Sequence, residues 1–529
     1  MHGWQHQRAI REARVSHERV QFHGDHMTPS RGLSSGNKGA LTANEELLVQ
    51  YCMRGLEAQN RGDMAGAVEK FGQALRIAPD NLDMRLLLAF AQGSNGDRQS
   101  ASNTLRDTPK LATLSEADAR RVADAATTLG ADSVALIAVE RALVTAPSDP
   151  NLHSTLGALH HRTGDTEKAS VVLHRAQVRW PQHVPTLMNR ARLLADTGDY
   201  GDALALYDGV LQIMPEHAHA RWYRGLLRLT LGDLAAGWSD HEARRELPFM
   251  QSVTPNDIAP WRGESLQDRT ILLWGEQGLG DQIMGARFAT ILAQRGANVI
   301  VRCASSLMTM MRSVAGVSDV IAAGDAVPEC DFHVPMLSVP FLTGLAEDAS
   351  VDGASYMSPP SIVSAEMPVA RNMKGRARVA VVWAGSSTHA NDHNRSFPAG
   401  LLAKLLAGAD VDWLSLQLSD RSRDLDVLEP VVRSRVTDAS AQIADFSDTA
   451  RLLASCNMLV SVDTSVAHLA GALGVPTVAM IPCVPDWRWQ LARRDTPWYR
   501  SMRLVRQPMA GAWDHVIAEV HRAVNSGTV

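Results

Sequence analysis

The sequence predicts an α-solenoid followed by an α/β region with two Rossmann-like domains. One observation is a pattern that recurs every 34 residues between Leu48 and about Glu246. The other is a change at Thr270, where short apolar strands begin to alternate with amphipathic helices in two blocks. The predicted boundaries are a disordered tail at 1–42, about six repeats at 43–247, a linker at 248–268, Rossmann-like domains at 269–365 and 376–508, and a closing helix at 509–529.

Composition narrows the class of protein. The chain has 529 residues, a formal charge of −5 and no long run of Lys or Arg, which disfavours a nucleic-acid partner. Its five cysteines include no CxxC pair, and no histidine cluster has metal-ligand spacing, so we expect a reducing compartment and no structural zinc. No cofactor is expected. No apolar run approaches the roughly 18 residues of a membrane helix, and the charged start lacks a signal sequence. We therefore expect a cytoplasmic protein whose translation starts at Met1 or, alternatively, at Met27.

The repeating stretch has small residues and prolines at fixed places. These are Gly62, Gly96, Gly130, Gly164, Gly198 and Gly232, then Ala67, Ala101, Ala135, Ala169 and Ala203, and finally Pro79, Pro147, Pro181 and Pro215. This is the tetratricopeptide pattern, in which each repeat has two helices, Gly lies in the turn and Ala lies where the helices touch. The second repeat lacks its closing Pro and has Pro109 earlier, so we expect an irregular exit there.

Stacked repeats of this kind form a concave groove that can bind an extended partner. Several first helices carry side chains that can bond the carbonyls and acidic groups of a polypeptide. They are His153, His160, Arg190, Arg221, Arg224 and Arg228. We predict that the groove binds an acceptor protein or peptide. A spacer or a dimerisation arm is the alternative.

The first α/β block opens with a strand, the glycine-rich turn Gly275–Asp281 and a helix. Asp281 is a candidate general base, because a carboxylate at a cleft edge can take a proton from a hydroxyl; the alternative is a helix cap. The candidate accessory residues of this turn are Glu276, Gln277, Gly278 and Gly280. An NAD enzyme is disfavoured, since the next strand does not end at the acidic residue of a dinucleotide fingerprint.

The second block supplies two more loops. In the loop Ser386–Pro398, Arg395 is a candidate phosphate ligand, because a guanidinium forks onto phosphate oxygens; a solvated surface loop is the alternative. Gln417, after the next predicted strand, is a further candidate accessory residue. Asp-x-Asp strings elsewhere in this block are discounted as metal ligands, since one begins a predicted strand and the other lies on a predicted helix.

The stretch Val460–Pro476 predicts a strand, an N-cap and an Ala-rich helix. Asp463, Thr464 and Ser465 are good N-cap residues, and the free N–H groups and positive end of a helix favour a phosphate or diphosphate. His468 lies four residues after Thr464 and is predicted to face the same opening. The alternative is an ordinary capped helix with a half-buried histidine.

Five motifs occur in order after Thr270: LLWGEQGLGDQIMGARF, NRSFP, DFSDTARLLASC, SVDTSVAHLAGALGVP and VPDWRWQLARRDTPWY. They resemble those of the ADP-heptose:lipopolysaccharide heptosyltransferase-like glycosyltransferases (family 9), in the branch where tetratricopeptide repeats come first. The resemblance covers nearly the whole chain after the tail. It implies a two-domain glycosyltransferase fold of the B type and an inverting, metal-independent transfer from a nucleotide sugar.

The resemblance also implies roles for single residues. Asp281 is implied to be the base, Arg395 to contact the donor phosphates, and Asp463, Thr464 and His468 to hold the donor. Heptosyltransferases usually have Gly where this chain has Ser465, whose Cβ narrows the phosphate approach or shifts the donor preference.

The expected function is transfer of a hexosyl or heptosyl group to an acceptor hydroxyl. The repeats are expected to bind that acceptor. The arrangement of repeats before a B-type transferase also resembles protein O-glycosyltransferases, including those that modify flagellin, which implies that the acceptor is a protein. One alternative is a non-catalytic repeat scaffold with a degenerate transferase unit. The other is a transferase for the sugars of lipopolysaccharide or another glycolipid.

Overall fold

The computed structural model describes residues 42–345, 353–360, 376–387 and 391–527, which fall into two compact units. The repeat unit ends at Pro215, and the second unit comprises residues 216–529. Of the predicted tail, only Thr42 is among the described residues. Residues 346–352 and 361–375 also lie outside them. None of the described helices is long and apolar enough to cross a membrane.

The repeats consist of paired helices, as predicted. The repeat unit contains α1 (Ala43–Asn60), α2 (Met64–Ile77), α3 (Leu82–Ser94), α4 (Arg98–Arg106), α5 (Glu116–Leu129), α6 (Asp132–Thr145), α7 (Pro150–Arg162), α8 (Thr166–Arg179), α9 (Val184–Thr197) and α10 (Tyr200–Ile213). The sixth pair, α11 (Ala218–Leu231) and α12 (Leu234–His241), falls in the second unit and is followed by a 3-10 turn, Glu242–Glu246.

Local chemistry explains the 34-residue pattern. The six turn glycines all have a positive φ, from 74° to 93°, a conformation that Gly adopts without a steric penalty. The Asp after a turn glycine often caps the second helix; the carboxylate of Asp63 accepts the Gly66 N–H at 2.8 Å. The five alanines on the grid are fully buried where the paired helices touch. The irregular exit of the second repeat is a 3-10 turn at Leu111–Thr113 after Lys110, whose φ is 53°.

The second unit contains two parallel sheets. The first has the order β1-β5-β2-β3-β4, and the second has the order β11-β10-β9-β6-β7-β8. The strands of the first sheet are β1 (Ala259–Pro260), β2 (Thr270–Trp274), β3 (Asn298–Cys303), β4 (Val317–Ala322) and β5 (Phe332–Pro335). Those of the second sheet are β6 (Arg378–Val382), β7 (Asp412–Ser415), β8 (Val436–Asp438), β9 (Met458–Val462), β10 (Thr477–Ile481) and β11 (Met502–Arg506).

Helices connect these strands, and the chain closes with a helix over the second sheet. They are α13 (Pro248–Gln251), α14 (Leu279–Gly285), α15 (Phe288–Gln294), α16 (Met308–Met311), α17 (Val339–Thr343), α18 (Asp392–Arg395), α19 (Leu402–Ala407), α20 (Pro430–Arg433), α21 (Phe446–Ala454), α22 (Ser465–Leu473) and α23 (Trp513–Ser526). Short 3-10 turns lie at 305–307, 336–338, 399–401, 419–425, 440–442 and 487–489.

The predicted linker 248–268 is more ordered than expected. It contributes α13 and the edge strand β1, whose Ala259 lies opposite Phe332 of β5. Trp261 is buried, and its indole N–H donates to the Glu264 carbonyl at 2.9 Å. Proline is accepted in β1 because an edge strand can lose one N–H donor.

The sixth repeat shares its apolar core with both sheets. Leu229 and Trp238 belong to the same buried cluster as Ile271 of β2 and Leu459 of β9. A second core, which includes Trp413, lies under α23 on the opposite face of the second sheet. This packing explains why the sixth repeat belongs to the second unit, whereas the sequence pattern grouped it with the other five.

The side chains predicted to line the groove mostly have partners within the chain. Arg224 and Arg228 both pair with Asp240 at 2.7 Å, and Arg221 pairs with Glu246 at 2.7 Å. The remaining three also have internal contacts or little exposure: Arg190 donates to Gln177, a ring nitrogen of His153 lies 3.0 Å from the Pro147 carbonyl, and His160 is buried. They are therefore weaker candidates for partner contacts than the sequence suggested.

Candidate active site

The glycine-rich turn after β2 lies against the start of α22. A Cβ added to Gly280 would come within 2.7 Å of the Cδ2 atom of His468, so only glycine permits this approach. Turns that follow the carboxyl ends of parallel strands are the usual ligand sites of α/β folds. The structure thus brings together two of the predicted loops, the glycine-rich turn Gly275–Asp281 and the helix start within Val460–Pro476.

The carboxylate of Asp281 has two contacts that were not predicted from the sequence. Asp281 occupies the third position of α14, where one carboxylate oxygen accepts the Gly278 N–H at 2.9 Å. The other oxygen forms an ion pair with Arg488, and the two side chains are 13% and 9% exposed. Asp281 is therefore not the N-cap residue that the alternative proposed, since Gly278 has that position, but its carboxylate bonds the N-cap N–H and is also the partner of a buried cation.

Glu276, a predicted accessory residue, forms a buried ion pair. Its carboxylate is fully buried and accepts two hydrogen bonds from Arg244, both at 2.7 Å. It also accepts the Leu337 N–H at 3.0 Å. Burial opposes the charge of Arg244, but the carboxylates of Glu276 and Glu242 outweigh burial and raise the pKa of Arg244. Glu276 thus anchors the glycine-rich turn to the 3-10 turn of the sixth repeat.

Gln277 adopts a positive φ of 57°, which is unusual for a residue with a side chain. Its side-chain amide nitrogen is buried and has no hydrogen-bond partner among the described residues. An N–H donor of this kind, within the turn next to Asp281, fits the accessory role predicted for Gln277.

The start of α22 has the predicted cap. Thr464 is the N-cap residue; its hydroxyl accepts the Ala467 N–H at 3.4 Å and lies 3.1 Å from the hydroxyl of Ser461. Among the described residues, the backbone N–H groups of Ser465 and Val466 have no hydrogen-bond acceptor. These donors and the positive end of the helix suit an anion.

His468 does not face an opening. Its ring is buried, stacks on Trp489 with 5.1 Å between ring centroids, and places Nδ1 2.9 Å from the Tyr499 hydroxyl. Burial, assisted by the positive charge of Arg287, lowers the pKa of His468 to about 3. The prediction that His468 faces an opening was wrong, because the aromatic residues of the last loop cover its ring. Its implied role in holding the donor stays a prediction.

Arg395 lies at the carboxyl end of β9. Its Nη1 donates to the Asp463 carbonyl at 3.3 Å, and its Nε is buried without a hydrogen-bond partner among the described residues. A Cβ at Gly385 would collide with the guanidinium at 2.3 Å, so the loop after β6 makes room for Arg395. A solvated surface position is thus excluded for this side chain.

Gln417 holds the loop after β6 in place. Its side-chain oxygen accepts the N–H groups of Trp383 at 3.1 Å and Ala384 at 2.9 Å, and its amide nitrogen donates to the Ala384 carbonyl at 3.1 Å. Since all of these contacts are buried, Gln417 positions the backbone next to Gly385. Its accessory role stays a prediction.

Two charged residues of the site were missed by sequence reasoning, although their motif carries part of the family resemblance. Arg488 bonds Asp486 and stacks over Trp487, with 4.4 Å from its guanidinium carbon to the ring. Burial lowers the pKa of Arg488 to about 9. Burial, with the negative charge of Asp463, raises the pKa of Asp486. The alternation of charged and Trp residues in VPDWRW was a signal that two charges lie in an apolar setting.

Metal ligands do not gather in the described part of the chain. No group of three or more His, Cys, Asp or Glu residues there could hold a metal ion.

Two segments of the chain match models of protein families. Residues 60–126 match the model described as Tetratricopeptide repeat, and residues 441–505 match Glycosyltransferase family 9 (heptosyltransferase). The chain joins tetratricopeptide repeats to a glycosyltransferase unit of the family 9 type. The second match contains Asp463, His468 and Arg488, whereas Asp281 and Arg395 lie before it.

Single relatives were also found. Protein FlbA of Caulobacter vibrioides is 23% identical over 521 residues, which is 92% of this chain and 85% of FlbA. Among solved structures, a tetratricopeptide repeat protein from Parabacteroides merdae has 19% identity and a TM-score of 0.32, covering 38% of this chain and 80% of that one. YrrB, described as a TPR protein with an unusual peptide-binding site, has 14% identity and a TM-score of 0.26, covering 34% and 97%.

Proposed function

We propose that the chain transfers a hexosyl or heptosyl group from a nucleoside diphosphate donor to an acceptor hydroxyl. The observation that carries the proposal is the approach of the glycine-rich turn to α22 at Gly280, beside the Asp463 carbonyl that Arg395 contacts. This arrangement assembles a carboxylate, a guanidinium and a helix start. Attack of a hydroxyl on a diphosphate-activated sugar needs a base and groups that stabilise the leaving anion.

In the proposed reaction, the carboxylate of Asp281 takes the acceptor's O–H proton while the acceptor oxygen bonds to the anomeric carbon. The bond from that carbon to the diphosphate breaks, and its electron pair leaves with the nucleoside diphosphate. Arg395 and the N–H groups of Ser465 and Val466 offset the charge that develops. A single displacement of this kind inverts the anomeric centre, and cations of the chain perform the task that a metal performs elsewhere.

Donor binding can be tested by isothermal titration calorimetry with uridine, guanosine, adenosine, cytidine and thymidine diphosphates. We expect one of them to bind, and Arg395→Ala to weaken it by about 10- to 100-fold, since charge-assisted bonds to phosphate are lost. Lys404→Ala, which removes an exposed cation of the same sheet region, is the control and should bind normally. The diphosphate affinity of the His468→Ala variant is measured as well. Its melting temperature is determined first, because removal of a buried side chain can unfold the protein.

The chemistry can be tested separately with Asp281→Asn. This nearly isosteric change removes the proton acceptor, so transfer should fall by at least about 100-fold while donor binding is no weaker. Transfer at an undiminished rate would assign Asp281 to helix capping alone.

A non-catalytic scaffold is the second candidate, and two observations favour it. Trp489 and Tyr499 cover His468, and Arg488 pairs with Asp281, so two of the predicted site residues are engaged by the chain itself. Failure of all five diphosphates to bind would support this function and contradict transfer.

We further propose that the repeats deliver a protein acceptor, modified on Ser or Thr. Because residues 216–529 form a compact unit, deletion of 42–215 should spare donor binding and abolish protein glycosylation in cells. The measurement is intact-mass analysis of cell proteins in a knockout that carries either form. If only lipid-linked sugars change, the acceptor is a glycolipid.

A further inference from the structure

Arg488 forms an ion pair with the carboxylate of Asp281, the group that acts as the base in the proposed function. The guanidinium pairs with one oxygen of Asp281, and the Gly278 N–H occupies the other. Protonation of either oxygen would break one of these contacts. A carboxylate held in this way is a poor proton acceptor, so Asp281 can act as a base only after Arg488 has moved.

The guanidinium of Arg488 is itself incompletely bonded. It contacts Asp486 as well as Asp281, yet its Nε is buried and has no hydrogen-bond partner among the described residues. A buried donor without an acceptor is costly, and a buried cation favours an anionic partner that can accept several N–H bonds. A doubly charged group with several oxygens would therefore be a favourable binding partner for this side chain.

A second guanidinium with the same deficit lies close by. Arg395 also has a buried Nε without a hydrogen-bond partner among the described residues, although Asp392 lies 3.6 Å from it, and its Nη1 donates to the Asp463 carbonyl. Trp489, which follows Arg488 in the chain, stacks on His468 of α22, and Arg395 contacts the carbonyl of Asp463 just before that helix. The two under-bonded guanidiniums thus flank one region at the start of α22.

We infer that Arg488 is a second guanidinium ligand of the donor diphosphate, and that diphosphate binding draws it away from Asp281. The inference rests on the proposed function. A diphosphate carries more charge than one carboxylate and accepts a forked pair of N–H bonds, which gives it the advantage over Asp281. The exchange couples the two events, because the base becomes free when the donor is in place.

The chain offers a matched control on the same loop. Arg493 pairs with Asp495 two residues away, at 2.9 Å, much as Arg488 bonds Asp486 two residues away. Asp495 is exposed and Arg493 is half-buried, and a pair with one exposed partner contributes little. Arg493→Gln therefore removes the same charge from the same loop without altering the contact to Asp281.

The test is calorimetric titration of the full chain with the nucleoside diphosphate that binds best. Arg488→Gln should weaken binding by about 10- to 100-fold, Arg488→Lys should weaken it less, and Arg493→Gln should stay within about twofold. Asp281→Asn should strengthen binding about two- to tenfold, since Arg488 is released. That gain should vanish in the Arg488→Gln/Asp281→Asn double variant.

The outcomes separate the two proposals. Diphosphate binding that Arg488→Gln leaves unchanged, or an unaltered affinity in Asp281→Asn, overturns the role of Arg488 and leaves the transferase proposal standing. Absence of binding by every diphosphate overturns both. The Asp281→Asn arm keeps Arg488 in place, so it decides the question even where Arg488→Gln fails to fold, which circular dichroism will show.

Discussion

The ion pairs of the repeat unit and those of the second unit differ in burial. Between repeats, Arg121 pairs with Asp83 while their side chains keep 45% and 63% of their exposure. At the sixth repeat, Arg244 and Glu276 have no exposed side-chain surface. Loss of one partner of an exposed pair costs little, because water can solvate the remaining charge. A buried pair leaves a buried charge when one partner is lost, so it fixes which segments belong together.

The largest expected effect is therefore at the junction of the sixth repeat. Arg244→Ala leaves the carboxylate of Glu276 buried without its cation, which should lower the free energy of unfolding of the second unit by about 3–5 kcal/mol. The measurement is urea unfolding followed by tryptophan fluorescence, which suits this unit because every tryptophan except Trp4 and Trp180 lies in it.

The matched control for that variant is Arg121→Ala in the repeat unit. It removes an exposed pair and should change stability by no more than about 1 kcal/mol, as measured by helical circular dichroism. Equal losses in the two variants would contradict the distinction drawn from burial.

Acid should destabilise the second unit more than the repeat unit. Burial lowers the pKa of His468 to about 3 and that of His333 to about 4, so the native state binds fewer protons than the unfolded state. The stability that these two histidines contribute is thus retained above about pH 6.5 and lost as the pH falls toward these values, by on the order of 2 kcal/mol for each histidine at pH 5.

The repeat unit should be less sensitive, since its His161 and His183 are only half-buried. Hydrogen exchange of the full chain at pH 7 and pH 5, corrected for intrinsic rates, gives the comparison peptide by peptide. Greater loss of protection in residues 42–215 would contradict it.

The smallest expected effects come from two glycines. Gly280→Ala places a Cβ against His468 and should cost about 1–3 kcal/mol through overpacking. Gly209→Ala lies within α10, where nothing stands within 4 Å of an added Cβ, and should stabilise by about 0.5–1 kcal/mol. Thermal unfolding of both variants, which should shift in opposite directions, is the measurement.

The sequence predicted best what depends on neighbours along the chain. The turn glycines and the buried alanines recur because each repeat solves the same local packing problem, and the cap at Thr464 needs only three residues. Fold class and the repeats are confirmed on this basis. The roles of Asp281 and Arg395 stay predictions, although both lie near the start of α22.

What the sequence could not show are contacts between distant segments. The cover of Trp489 and Tyr499 over His468, and the pairing of Arg488 with Asp281, join residues whose separation leaves no periodic signal. For the same reason, the pattern placed the end of the solenoid after the sixth repeat. The buried contact from Arg244 to Glu276 assigns that repeat to the second unit.

The order of synthesis gives the Arg244 contact a further meaning. Glu276 follows Arg244 by 32 residues and Ser338, which also accepts a bond from its guanidinium, follows by 94. When Arg244 leaves the ribosome, its neighbour Glu242 is already present, but Glu276 and Ser338 have not yet been translated. We expect the first five repeats to fold during elongation, one after another, while the sixth waits for the strand β2 and its turn. A pause of translation between residues 246 and 276 would leave a finished solenoid with an unfinished end.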